Sequence, residues 1–233
     1  VIMKAKDTSI IRHTIFDGLS SPRQGGWELT GGVTLYESPV VLSDTQFINN
    51  RSEDALNIVR SEFALENLVF RNILADGFDS DFSTGTIKNS SFLKCGNDGL
   101  DVSGSKVQVE RVLFDQIGDK ALSVGEKSRV SIKKLIARNS RIAVASKDHS
   151  EVIIEEAEIE GSQIGFAVFQ KKPEFGPASI RVEKLKMSNL KTTFIVEEGS
   201  RLLIDGTLAL PRSKNVQKSL YGKNFQSVEG FRK

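Results

Sequence analysis

Two acidic tetrads, D-G-F-D at 76–79 and D-G-L-D at 98–101, begin 22 residues apart, and Asp81 follows the first. On adjacent strands, roughly 4.8 Å apart, their five carboxylates would share one patch. Like charges so placed repel one another and hold on to their protons, so a cation is their natural counterpart. Donors that are all oxygen favour Ca²⁺ over a transition metal, and Asp76, Asp79, Asp81, Asp98 and Asp101 are the acids that could face it. With two histidines (His13, His149) and one cysteine (Cys95), a zinc site is not expected. The plainer reading is that Asp-Gly pairs make tight corners and cap nearby amides. It suits Asp54, Asp76, Asp98 and Asp119, which follow one another at intervals of 22, 22 and 21. It suits Asp79, Asp81 and Asp101 poorly, because aligned like charges on neighbouring strands destabilise a sheet.

Lys120, in G-D-K-A-L, falls one repeat beyond the acidic pair, and Lys147 falls two beyond. A lysine near a site acts as a general base when it is desolvated or faces other cations. Beside aspartates its affinity for the proton rises, and a salt bridge is the competing role. Asp81, Lys147, Lys171 and Lys172 are candidate substrate contacts, the last two on a predicted loop. Cys95 follows Phe92 as Ile73 follows Phe70, so it reads as a core filler.

Two ladders supply the elements that would position these groups. One runs Ser38, Ser61, Thr84, Ser105, Ser128, Ser150 and Ser200, with apolar residues two and four places on. The other runs Phe47, Phe70, Phe92, Phe114, Ala137, Ile159 and Met187, with Asn49, Asn72, Lys94, Gln116, Asn139 and Asn189 two places beyond. A period of about 22 residues marks a solenoid, each repeat being one turn of a continuous core. Apolar residues alternate over short β-branched runs, so each repeat reads as three short strands. Leu56/Ile58, Leu100/Val102, Leu122/Val124, Ile142/Val144 and Ile164/Phe166/Val168 are expected to point inward. Asn57, Asp79, Asp101 and Ser123 form one outward column, and Val59, Asp81, Ser103 and Gly125 the next. The small residues Ala55, Gly77, Gly99 and Ala121 are read as room for a ligand beside them. Insertions are expected at 18–27 and 170–177, both rich in Gly and Pro. The fold class is all-β, a single-stranded parallel β-helix of about eight turns; spacing does not set its hand, and right-handed is what the family resemblance described below implies. Residues 1–207 form the β-helix domain and 208–233 a cap, linker or disordered tail.

The formal charge of +2, from 32 basic and 30 acidic residues, gives no bulk attraction to nucleic acid or anionic membrane. No basic block with interleaved aromatics supports nucleic-acid binding. No apolar run is long enough to span a bilayer. The opening residues already look like the middle of a repeat, so the chain reads as part of a longer protein with flanking domains.

The repeats from Ser9 to Gly206 resemble the pectate-lyase-like superfamily of right-handed parallel β-helices. D-G-F-D and N-D-G-L-D on successive turns are similar to the calcium motif of family-nine polysaccharide lyases. That resemblance implies Ca²⁺ held by Asp76 or Asp79 with Asp98 and Asp101, and Lys120 as the base that removes the proton α to a uronate carboxylate. Asn97 stands where the family motif has its first aspartate. G-D-K-A-L-S-V-G-E-K-S and S-I-I-R-H-T-I-F-D-G are nearer to β-helix segments of large bacterial surface proteins, which implies an extracellular or cell-surface location. Three readings stay open: a polysaccharide-binding or scaffold module, a uronate lyase acting by β-elimination, and a structural spacer.

Overall fold

The computed structural model describes residues 1–210 and 213–222. The chain winds into a parallel β-solenoid of about eight turns built from a nine-stranded sheet (sheet A) and a fourteen-stranded sheet (sheet B). Phe78 pairs with Leu56 on one side and Leu100 on the other, and Val130 with Val107 and Val152, so neighbouring turns stand 22 or 23 residues apart.

Each turn bends where one residue adopts left-handed backbone. At the first corner these are Glu37, Arg60, Phe82, Gly104, Lys127, His149 and Gly199, with φ between 48° and 90°. The serine that follows is buried and accepts the backbone N–H of the serine one turn earlier. Ser38 N donates to Ser61 Oγ (2.8 Å), Ser61 N to Ser83 Oγ (3.1 Å), Ser83 N to Ser105 Oγ (2.8 Å) and Ser105 N to Ser128 Oγ (3.0 Å). Ser83, not Thr84, is therefore the ladder residue; Thr84 lies one place on and pairs with Glu62 and Lys106. Replacing Ser105 by Ala leaves the Ser83 N–H buried without an acceptor. The expected loss is about 1–3 kcal/mol, measured as a lower unfolding midpoint in urea; an unchanged midpoint would show that the ladder adds nothing.

The second corner changes character along the axis. Asp44, Asn67 and Asn89 take left-handed φ of 50°, 55° and 44°, which short Asx side chains tolerate. From the next turn Arg111, Lys134, Glu156 and Lys184 occupy that place. The corner then straightens, and the chain runs through ten-residue strands at Lys106–Asp115, Arg129–Arg138, Glu151–Glu160 and Ser179–Ser188. Three short strands per repeat thus hold only for the earlier turns. At the third corner all six residues expected there, Asn49 to Asn189, are left-handed, with φ of 50° to 59°.

Inside, the rings of Phe16, Phe47, Phe70, Phe92 and Phe114 stack with centroids 4.6 to 5.1 Å apart. Ala137, Ile159 and Met187 continue the row. Cys95 is buried in register with Ile73, and burial pushes its thiol up. The first insertion forms an antiparallel hairpin of Arg23–Gln24 with Trp27–Glu28; the second, at 170–178, carries no strand.

After Arg201–Ile204 the strand Thr207–Leu208 turns back antiparallel. A helix follows at Val216–Tyr221, capped by the Asn215 side chain, which accepts from Lys218 N at 2.9 Å. Its Val216 and Leu220 pack on Ile142, Ala145, Ala167 and Phe169, with Ile164 partly buried beside them. Ile142 and Ile164, expected in the solenoid core, therefore lie on the outer face of sheet A beneath this helix. Part of the tail expected at 208–233 is thus docked on the solenoid, and 211–212 and 223–233 lie outside the described residues. Among the described residues no helix is long and apolar enough to cross a membrane.

Candidate functional site

The outer face of sheet A changes along the solenoid axis. One column runs Gly31, Asp54, Asp76, Asp98, Lys120, Ile142, Ile164. Asp98 belongs to it because Phe78–Leu100 and Leu100–Leu122 set a 22-residue step on either side. The second column runs Asn57, Asp79, Asp101, Ser123, Ala145, Ala167, and a third begins Val59, Asp81, Ser103, Gly125. The early turns present carboxylates, and the late turns present the apolar seat of the helix. Ala145 continues the second column, and Lys147 lies beside Gly125 in the third.

Asp76, Asp79, Asp81, Asp98 and Asp101 are thus brought together, and Asp54, read from sequence as a turn residue, joins them. Asp76 and Asp98 also do what corner aspartates do. Asp76 Oδ1 accepts from Asp98 N (2.8 Å) and from Asn97 Nδ2 (2.7 Å), and Asp98 Oδ1 accepts from Lys120 N (2.9 Å). Asn97, the departure from the calcium motif, therefore serves as a donor to a carboxylate. Other oxygens are left over: Asp54 Oδ2 and Asp101 Oδ1 are buried with no hydrogen-bond partner among the described residues. Asp54 as a whole is only 2% exposed.

Burial, with the charges of Glu53, Asp81 and Asp101 added, outweighs a hydrogen bond from the Thr30 side chain and pushes the Asp54 carboxyl up to about 7. Burial and the neighbouring Asp98 hold Asp76 well above the ordinary carboxylate range, and burial with Asp101 does the same for Asp79. Asp81 is raised by burial and Asp101, against the pull of Asn57, whose Nδ2 donates to Asp81 Oδ2 at 3.4 Å. Among the described residues no three His, Cys, Asp or Glu side chains already stand as a ready-made metal cage.

Lys120 closes the acidic stretch. Its Nζ lies 3.0 Å from Asp98 Oδ1 and also donates to Asp119 Oδ2. Asp119 Oδ1 meets Arg141 Nη1 at 2.6 Å, and Asp119 Oδ2 accepts from the Tyr221 hydroxyl at 3.1 Å. Arg141 Nη2 in turn donates to Leu220 O at 2.6 Å. Burial opposes the charge on Lys120, but Asp98 and Asp119 outweigh it and hold the ammonium well above its usual range. An ammonium held this way offers no lone pair near neutrality. Asp119 is not the next step of the Asp54–Asp76–Asp98 column; it stands one residue earlier, and Lys120 takes that place.

Lys147 is buried, and its Nζ donates to Ser123 Oγ at 2.8 Å, one turn beyond Asp101. Lys171 and Lys172 give their backbone N–H groups to Asp148 Oδ1 (2.7 and 2.6 Å), and the Lys172 ammonium pairs with Glu126. Phe175 of the same loop lies 5.6 Å from Lys127 Nζ. The loop therefore forms a rim beside the third column. On that edge Phe82, 57% exposed, carries the Arg60 guanidinium 5.8 Å from its ring centre.

The small residues turn out to face the other way. A Cβ on Gly77 would lie 2.7 Å from Phe92 Cδ1, and one on Gly99 2.7 Å from Phe114 Cδ1. Their smallness makes room for the phenylalanine stack, not for a ligand. Sequence reasoning also missed Ser123, Arg141 and Tyr221 as neighbours of the lysines. The 22-residue step, which sets Arg141 on Asp119, was the available signal for Arg141; Tyr221, 102 residues from Asp119, left none. No protein-family model, curated protein or solved structure matches the chain, which is identified by its architecture alone, an all-β parallel solenoid of about eight turns.

Proposed function

We propose that this solenoid is a non-catalytic polysaccharide-binding module of a bacterial surface or secreted protein, and that it takes its ligand on the acidic half of sheet A's outer face. The observation that carries this reading is the pair of buried carboxylate oxygens without a partner, Asp54 Oδ2 and Asp101 Oδ1. Buried polar atoms are satisfied as a rule, so these two mark a place where hydroxyls or a cation belong. Carboxylates recur on three successive turns at Asp54, Asp76 and Asp98, which suits a polymer, and Phe82 offers an exposed ring at the edge of the face. The resemblance of G-D-K-A-L-S-V-G-E-K-S and S-I-I-R-H-T-I-F-D-G to β-helix segments of large bacterial surface proteins supports the location. Ca²⁺ is the first cation to test, because the donors are oxygens; its binding would have to draw Asp76, Asp79, Asp98 and Asp101 into a cage. Lys120 as an ammonium disfavours the lyase reading.

Calorimetric titration with neutral, anionic and amino-bearing oligosaccharides, each with and without Ca²⁺, on the native chain and on Asp79→Ala/Asp101→Ala, tests the proposal. Saturable binding of at least one oligosaccharide that disappears in the double variant is the expected result. No heat from any sugar or cation would leave the domain a spacer and overturn it.

A further inference from the structure

The outer face of sheet A shows on its own later turns what its carboxylates accept. Lys120 Nζ rests on Asp98 Oδ1 at 3.0 Å, and Lys147 Nζ rests at 2.8 Å on Ser123 Oγ, the residue stacked on Asp101. Both residues are only 7% exposed, so the protein has built two desolvated seats for a primary ammonium. One and two turns toward the N-terminus the same columns present Asp76, Asp54 and Asp79 with no lysine stacked on them. There Asp54, 2% exposed, keeps Oδ2 unpartnered, and Asp101 keeps Oδ1 so. The Asp54 column faces the ligand side: a Cβ on Gly31, its neighbour one turn earlier, would lie 2.9 Å from Asn57 Cβ, at the head of the Asp79 column.

We propose that the ligand supplies these missing ammonium groups itself, and that the face binds a glycan bearing free amino groups, of the glucosamine type, without a bridging metal. This rests on the polysaccharide-binding reading and names the class of sugar. Three points favour an amine over a metal. The seats already built are ammonium seats. Among the described residues no three acidic, His or Cys side chains form a metal cage. A compact ammonium has three donors to spread over several oxygens. A sugar rather than a basic peptide follows from the polysaccharide-binding reading, and Phe82, exposed next to Asp81 with its ring set against Arg60 and Gly104, adds an aromatic edge for the sugar to meet.

The test is calorimetry at pH 6 with four probes: a glucosamine hexasaccharide, its fully N-acetylated counterpart, oligogalacturonate with Ca²⁺, and hexalysine. The expected result is that the free amine binds roughly ten-fold or more tightly than the acetylated sugar, is insensitive to chelator, and loses this advantage in Asp79→Asn/Asp101→Asn. Asn keeps the shape of each carboxyl, and a circular dichroism melt confirms that the variant is folded. Equal binding of the acetylated sugar overturns the ammonium assignment and leaves polysaccharide binding standing. Binding of oligogalacturonate with Ca²⁺ alone does the same. Hexalysine binding as tightly as the amino sugar overturns the choice of a glycan, and silence from all four overturns both proposals.

Discussion

Replacing Lys120 by Met is expected to destabilise the domain by about 3–5 kcal/mol, as removal of one partner from a buried ionic cluster does. The lysine stem would be matched in volume, so the effect isolates the charge. Asp98 is 2% exposed and would keep a buried carboxylate that has lost the one cation in contact with it among the described residues. Asp119 retains Arg141, so the damage should concentrate on the Asp98 side. Chemical denaturation measures the loss, and it should shrink when Asp98→Asn is added, because the amide no longer needs a counter-charge. If Lys120→Met left stability unchanged, the lysine would be a group held in reserve for chemistry, and the structural role given to it here would fail. The same substitution should loosen the helix at Val216–Tyr221, since Asp119 is shared between Lys120 and Tyr221. Faster proteolysis after Lys218 would register that.

The second large effect is a fall in stability between pH 5 and pH 8. Asp54 ionises at about 7 in the fold, against 3.8 for an unperturbed aspartate. Its folded form therefore binds more protons throughout that window, and stability drops as pH rises through it. At about 1.4 kcal/mol per unit, Asp54 alone accounts for roughly 3 kcal/mol between pH 5 and 8. For a chain of this length that is roughly 6–12 °C in melting temperature. Asp76 and Asp79, raised by burial and their acidic neighbours, act in the same direction. Asp119 works oppositely: burial is outweighed by Lys120 and Arg141, and its contribution is lost only as pH falls below the ordinary carboxylate range. The contribution of Lys120 is lost only above the ordinary lysine range. Neither disturbs the window. Asp54→Asn should melt higher than the native chain at pH 8 and show a shallower slope; a native melting temperature that rises from pH 5 to pH 8 would contradict the account.

Much of this molecule can be read from its repeats, because stacking makes every side chain answer to the residue 22 places away. The phenylalanine row, the Asn corners and the outward Asp79–Asp101 column all obey that rule. The reading failed where the rule has local exceptions. Gly77 and Phe78 both turn inward, since the chain bends as it enters the strand and a glycine has no side chain to reveal its direction. Ile142 and Ile164 are apolar because a helix from far along the chain covers them, and an apolar residue looks the same under a helix as in a core. Lys120 was placed near the acids by period, but the Asp119, Arg141 and Tyr221 contacts that keep it charged involve a segment with no repeat.

The reversal at Thr207–Leu208 bears on solubility. A parallel solenoid ends in an open edge whose unpaired amides and carbonyls invite another chain. Here the last strand of sheet B, Arg201–Ile204, is met by one running the opposite way, and Ala209 N donates to Leu202 O at 2.9 Å. A second solenoid arriving there in parallel register finds the pairing direction changed and the groups taken. That short return works as a stopper against end-to-end fibre growth, and disrupting it should turn a monodisperse sample into one that polymerises.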